Sequence, residues 1–311
     1  MKNIWVLGAT GYVGKALTLE LLAQKERGLW AGYRINTLGH RTMDAEIMER
    51  TNFFMSDLAT LDTQWWERFP PAVVFHCARL AGSTDGARSK AARRGAQANA
   101  RLIRFLEDAP WRPTVVYCSG TLMYGPQTSP ATEVVSLNPV AYARHYLHAE
   151  QPWLDAQARG HLDVRMARPA WIIGPDSWFK AFFYNPLQPN RPIPYYGSGE
   201  QRMSLIHIND CAGQLIHAWT HGTPLSNYNL FSGAPIPQWE FSQMVAGLTG
   251  NSTSHVTEEQ LHKQVGKTVA EALLSDIPVD TLHQTWKGAY APQFGGVSQM
   301  VESAIQGFAK V

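Results

Sequence analysis

The sequence predicts an α/β protein built on a doubly wound parallel sheet. Three observations carry this. Short apolar, strand-like runs recur through the first half, stretches of helical spacing separate them, and three glycines crowd the first strand-to-helix junction.

Asn3–Leu7 (NIWVL) reads as the opening strand. Gly14–Lys25 follows with Leu17, Leu21 and Leu22 on one helical face. Tyr33–Leu38, Asn52–Leu58, Ala72–Ala78 and Thr114–Ser119 are further compact apolar runs, and Leu162–Ala167 and Tyr228–Phe231 are later ones. Helices are expected over Ala91–Asp108, Ala141–Ala158 and Pro237–Thr249. Phe179–Gly199 is rich in Pro, Tyr and Asn and reads as irregular. The expected division is a Rossmann-like domain, 1–175 with 204–232, and a smaller C-terminal substrate-binding domain, 176–203 with 233–311.

Composition narrows the function classes. The chain has 311 residues, 45% hydrophobic and 17% charged, enough for a sizeable core. A net charge of +2, with no dense Lys/Arg block, does not point to nucleic acid. No apolar run has the length of a membrane span, and the N-terminus enters a strand directly, so a cytoplasmic protein is expected. Cys77, Cys118 and Cys211 are too few for a disulfide framework and match no metal spacing; they are expected to be buried.

The glycine cluster is Gly8-Ala9-Thr10-Gly11-Tyr12-Val13-Gly14. After a strand and opening a helix, this pattern binds a dinucleotide. Gly8 permits the tight turn, Gly11 lets backbone approach a pyrophosphate, and Gly14 lets helix and strand pack closely. The helix N-terminus offers its N–H groups to the phosphates. The second strand runs into Leu38-Gly39-His40-Arg41, with no acid before Asp44. Arg41, helped by His40, suits a ribose 2′-phosphate, so NADP(H) is expected, with NAD the alternative.

The glycine spacing, with SDL (Ser56–Leu58), FHCA (Phe75–Ala78), SGTLMYG (Ser119–Gly125), NPVAYARHYLHAE (Asn138–Glu150), RPAWIIGP (Arg168–Pro175), QRMSLIHINDCA (Gln201–Ala212) and YNLFSG (Tyr228–Gly233), resembles the extended short-chain dehydrogenase/reductases, including the NAD-dependent epimerase/dehydratase group. The resemblance covers essentially the whole chain. It implies that Asp57 meets the adenine amino group and that Leu58 packs near the base. It also implies that Ala78 and Arg79 lie where backbone passes the cofactor, and that Pro169 and Ala170 pass the nicotinamide amide. His76 reads as a core histidine.

Such enzymes use a Ser or Thr, a Tyr and a Lys. The resemblance makes Tyr142 the tyrosine, with Pro139 three residues before it and Glu150 eight after. At the lysine position stands Tyr146, on the same helical face one turn on. The Ser/Thr position is Gly120, flanked by Ser119 and Thr121. The expected catalytic set is therefore Tyr142, Tyr146, Ser119 and Thr121, an atypical one. A phenol without an ammonium beside it is a better proton donor than base, which favours reduction of a small carbonyl compound. Two alternatives stay open, a sugar-nucleotide epimerase or dehydratase and a non-catalytic NADP(H)-binding regulator. Arg202 stands one residue off the usual place of a diphosphate-binding arginine. Trp178, Phe179, Phe182, Phe183, Tyr184, Tyr195 and Tyr196 suggest an aromatic pocket for an apolar substrate. The resemblance also implies a homodimer through Ala91–Asp108 and Ala141–Ala158.

Overall fold

The computed structural model describes residues 1–308; the end of the expected second domain, 309–311, lies outside the described residues. In chain order the elements are β1 (Lys2–Leu7), α1 (Tyr12–Glu26), β2 (Tyr33–Gly39), α2 (Ala45–Arg50), β3 (Asn52–Met55), α3 (Gln64–Arg68), β4 (Pro71–His76), α4 (Asp85–Asp108), β5 (Thr114–Cys118) and α5 (Ala141–Arg159). There follow β6 (Asp163–Pro169), β7 (Trp171–Ile173), α6 (Trp178–Phe182), β8 (Ile193–Tyr196), β9 (Arg202–His207), α7 (Ile208–Thr220) and β10 (Asn227–Leu230). The last are β11 (Ser232–Pro237), α8 (Gln238–Thr249), β12 (Thr253–Val256), α9 (Glu258–Val265), α10 (Lys267–Leu274), α11 (Gln284–Ala289) and α12 (Val297–Phe308).

A seven-stranded sheet runs β10-β6-β5-β4-β1-β2-β3. The pairs from β6 to β3 are parallel. Parallel neighbours need crossovers, and helices supply them, so the sheet is α/β as expected. Five of the six residues of β1 are buried, as befits a strand covered on both faces. The register pairs Leu7 with both Leu38 and His76, and His76 with Tyr117. The carboxyl ends of β1, β2, β4 and β5 therefore line up along one edge, where open parallel sheets bind ligands.

The chain divides into two compact units. One comprises Met1–Ser119, His145–Arg168 and Ala212–Tyr228; the other comprises Gly120–Arg144, Pro169–Cys211 and Asn229 onward. The first packs Trp5, Leu7, Leu38, Trp66, Leu102, Val115 and Trp153 into one core. The second has its own core, with Ile173, Phe179, Phe183, Tyr196, Met203 and Phe241. It also holds a three-stranded sheet, β11-β9-β7, and the parallel pair β12-β8.

Four expectations are corrected here. Phe179–Gly199 is not irregular, since it contains part of α6 and all of β8; β8 draws its order from pairing with β12, far along the chain. The run Asn52–Leu58 stops as a strand at Met55, because the Asp57 side chain caps a 3-10 turn, Leu58–Thr60. Helix α4 starts at Asp85 rather than Ala91, where the Thr84 hydroxyl accepts the Ala87 N–H at 3.2 Å. Of the cysteines, Cys211 is buried but Cys77 and Cys118 are half-buried, since they lie where β4 and β5 run out. No helix among the described residues is long and apolar enough to cross a membrane.

Candidate active site

The glycine loop follows from close packing. Gly8 has φ +79°, and a Cβ there would lie 2.7 Å from the backbone of Ala78. A Cβ on Gly14 would lie 2.2 Å from the Gly8 carbonyl oxygen, so helix and loop touch without side chains between them. Gly11 is the N-cap of α1, in extended conformation, and the first turn of α1 carries no acid. No acid in the first turn therefore offsets the electropositive helix end. The Gly8 and Ala9 N–H groups both donate to the Leu38 carbonyl at 2.9 Å, fastening the loop to β2.

The loop fits a dinucleotide. The Thr10 hydroxyl is buried and has no hydrogen-bond partner among the described residues, a polar atom left for a ligand to satisfy. Gly39 makes room for it, since a Cβ there would strike Thr10 Cγ2 at 2.3 Å. Tyr12 and Val13 are half-buried at the start of α1. Beyond β2, His40 and Arg41 are exposed, and Arg41 Nη2 donates to the Thr10 carbonyl oxygen at 3.1 Å. The first acid after β2, Asp44, is paired with Lys15 at 2.6 Å. Asp57 accepts the Ala59 N–H through Oδ1, and its Oδ2 lies 3.7 Å from Arg94. Leu58 is buried in the core of the first unit. Ala78 abuts the loop through its backbone.

Tyr146 is 4% exposed, and the Arg79 guanidinium lies over its ring, 4.3 Å from the centroid. The side chain of Arg79 is otherwise exposed. Tyr117 meets the rings of His76 and Trp153 in tilted contact, at 5.0 and 5.9 Å. Burial pushes the Tyr117 phenol up, Glu150 and Cys118 add to this, and Arg79 and Arg168 oppose it. His76 is a core residue whose Nε2 is 2.9 Å from Asn99 Oδ1; burial lowers it to about 4, outweighing that hydrogen bond.

Ser119 is committed elsewhere: its hydroxyl donates to Glu150 Oε2. Glu150 Oε1 accepts from Arg168 Nη2 at 2.7 Å, both side chains being almost wholly buried. The motif spacing gave no sign of this Ser119–Glu150–Arg168 network, because strand-to-helix contacts leave no local periodicity.

In the second unit, Thr121 is buried at the start of a 3-10 turn, Thr121–Met123. Tyr142, in the first turn of α5, meets Trp178 edge-on at 5.0 Å, and Trp178 in turn packs against Trp171 and Phe182. Phe179, Phe183 and Tyr196, by contrast, belong to the buried core. Pro169 and Ala170 are buried, and the Ala170 N–H donates to the Leu230 carbonyl at 2.9 Å. Arg202 is held by Asp276 through two guanidinium nitrogens, the shortest contact being 2.7 Å, and also donates to the carbonyls of Gln127 and Thr128.

The sequence profile of the NAD dependent epimerase/dehydratase family matches residues 4–230. The chain belongs to this family. The family is one of enzymes, and this chain is an enzyme of it. Solved structures agree in fold with the family assignment. The dTDP-glucose 4,6-dehydratase of Bacillus anthracis str. Ames, in complex with NAD, is 16% identical with a TM-score of 0.76, covering 100% of this chain and 97% of that one. The UDP-glucuronic acid 4-epimerase of Bacillus cereus, with UDP-glucuronic acid and NAD, is 16% identical with a TM-score of 0.78 over 99% of each chain. DesIV of Streptomyces venezuelae, a dTDP-glucose 4,6-dehydratase with NAD bound, is 18% identical with a TM-score of 0.78, covering 99% and 97%. Comparison with curated proteins found no match.

Proposed function

We propose that the protein is a nicotinamide-dependent epimerase or dehydratase of sugar-nucleotide type, with 1–175 and 204–232 holding the dinucleotide and 176–203 with 233–311 serving the substrate. The observation that carries this reading is the glycine loop with its unsatisfied Thr10 hydroxyl, in a chain that keeps Tyr142 at the head of α5. The ligands of the structural neighbours, NAD with UDP-glucuronic acid among them, support it. Gly8, Gly11, Gly14 and the start of α1 would hold the diphosphate, and Tyr12 and Val13 flank it. Asp57 and Leu58 would lie at the adenine end, and Pro169 and Ala170 at the amide end. When bound, the nicotinamide accepts or supplies a hydride. The chain's own part is proton transfer at the Tyr142 hydroxyl, beside a wall formed by Trp178. Thr121 is the remaining hydroxyl candidate for orienting the substrate oxygen, since Ser119 is occupied by Glu150.

A panel of UDP-, dTDP- and GDP-sugars followed by NMR tests the reaction class; formation of an epimer or a dehydrated keto sugar is expected. A second reading, reduction of a carbonyl compound lacking a diphosphate, draws on Arg202, which is tied to Asp276. Cofactor oxidation on simple carbonyls, with no change in any sugar nucleotide, would decide for it. In either case Tyr142→Phe lowers kcat by about a hundredfold or more while the dinucleotide Kd stays the same. Unchanged turnover removes Tyr142 from the chemistry. If no panel member reacts but dinucleotide binds, the protein is a cofactor-binding regulator.

We also infer a preference for NADP(H). No carboxylate follows β2 closely except Asp44, which is in an ion pair, and the exposed Arg41 is tethered to the loop. Arg41→Ala should weaken NADPH binding about tenfold and leave NADH binding nearly unchanged, read by isothermal calorimetry. Tighter binding of NADH by the wild type would overturn this preference. The reading places the enzyme in the cytoplasm and pairs it as a homodimer through α4 and α5. The shallow depression lined by Arg93, Gln97, His148 and Asp155 belongs to that face.

A further inference from the structure

We propose that Arg79 replaces the ammonium that position 146 lacks, and that Tyr146 is its platform. The inference rests on the dinucleotide reading above. Arg79 leaves the carboxyl edge of β4, one residue beyond the Ala78 backbone that abuts Gly8. That edge is where a parallel sheet receives its ligand. Its guanidinium covers the Tyr146 ring at 4.3 Å, and among the described residues it makes no ion pair with a carboxylate. Stacking occupies one flat face of a guanidinium and leaves its in-plane N–H donors for other partners. An ammonium at 146 would carry its charge on the helix. Here the same region receives it from the β4 loop, with the phenol ring holding it in place. The charge acts on this end of the sheet, since Arg79 counters the effect of burial on Tyr117.

Arg79 is thus a positioning residue that donates to the nicotinamide half of the dinucleotide. Tyr146 is buried and reaches the ligand through Arg79. The two side chains work as one unit, although 67 positions apart in sequence.

The test is a fluorescence titration of the full-length protein with NADPH and NADH, with circular dichroism confirming that each variant folds. Arg79→Gln should weaken binding about tenfold. Arg79→Lys, which keeps the charge but not the planar fork, should weaken binding clearly less than Arg79→Gln does. Tyr146→Lys in the Arg79→Gln background should regain most of the loss, because it returns the charge to the helix. An Arg79→Gln protein that binds as wild type does overturns the inference. So does equal weakening by Arg79→Gln and Arg79→Lys, or a folded double variant that recovers nothing. If the double variant does not fold, the contrast between glutamine and lysine at position 79 decides alone. A wild type that binds neither dinucleotide brings down the proposed function itself, and this inference with it.

Discussion

Gly8→Ala is expected to destroy dinucleotide binding and to cost about 2–5 kcal/mol of stability. Two effects add. At φ +79° an L side chain is strained by about 1–2 kcal/mol. The new Cβ would also sit 2.7 Å from both Cα and N of Ala78 and 2.8 Å from the Cys77 carbonyl carbon. Those are backbone atoms of the neighbouring strand end and have no rotamer to escape into. Cys77 is itself pinned, its N–H donating to the Leu7 carbonyl at 2.9 Å, so relief requires moving β1 against β4. Gly11→Ala is the informative contrast. Its Cβ meets only the Gly8 carbonyl oxygen, at 3.1 Å, so the fold should tolerate it while the approach to the diphosphate is lost. Urea denaturation separates the two proteins, and calorimetric titration shows whether both lose the ligand. A Gly8→Ala protein with wild-type affinity would mean that the loop is no phosphate cradle.

Glu150→Ala is expected to destabilise the protein by about 3–5 kcal/mol. The carboxylate and Arg168 are 2.7 Å apart with 1% and 2% of their side chains exposed, so removing one leaves a charge with little water to receive it. The Ser119 hydroxyl loses its acceptor in the same step. The size of the effect does not mean that the pair itself contributes so much. Two well-packed apolar residues in its place would be about as stable. The double variant Glu150→Leu/Arg168→Met should therefore recover most of the loss. A thermodynamic cycle built from Glu150→Leu, Arg168→Met and the double variant measures this. Independent, additive losses would show that the two charges do not compensate each other.

The first unit was readable because its signals are local. A strand that ends in a glycine loop and opens a helix is written in consecutive residues, and so is the tyrosine at the head of α5. The second unit was read less well. Its β8 depends on β12, some sixty residues later, and α6 lies in a stretch whose Pro and Asn content argues for loop. Tyr184 and Tyr195 are half-buried, whereas Phe179, Phe183 and Tyr196 disappear into the core. Composition counted them as one aromatic set, yet only three-dimensional packing separates wall from core.

The sequence by itself determined the α/β class, the order along the chain of the strands of the seven-stranded sheet, the glycine loop and the presence of a phenol rather than an ammonium at position 146. These are matters of residue type and short spacing, which a linear string carries. Only the tertiary structure decided that Ser119 serves Glu150, that Arg202 is bound to Asp276, and that Arg79 lies on Tyr146. A hydroxyl, a carboxylate and two guanidinium groups each have several possible partners, and the partner is chosen by which distant elements the fold brings within a few ångströms.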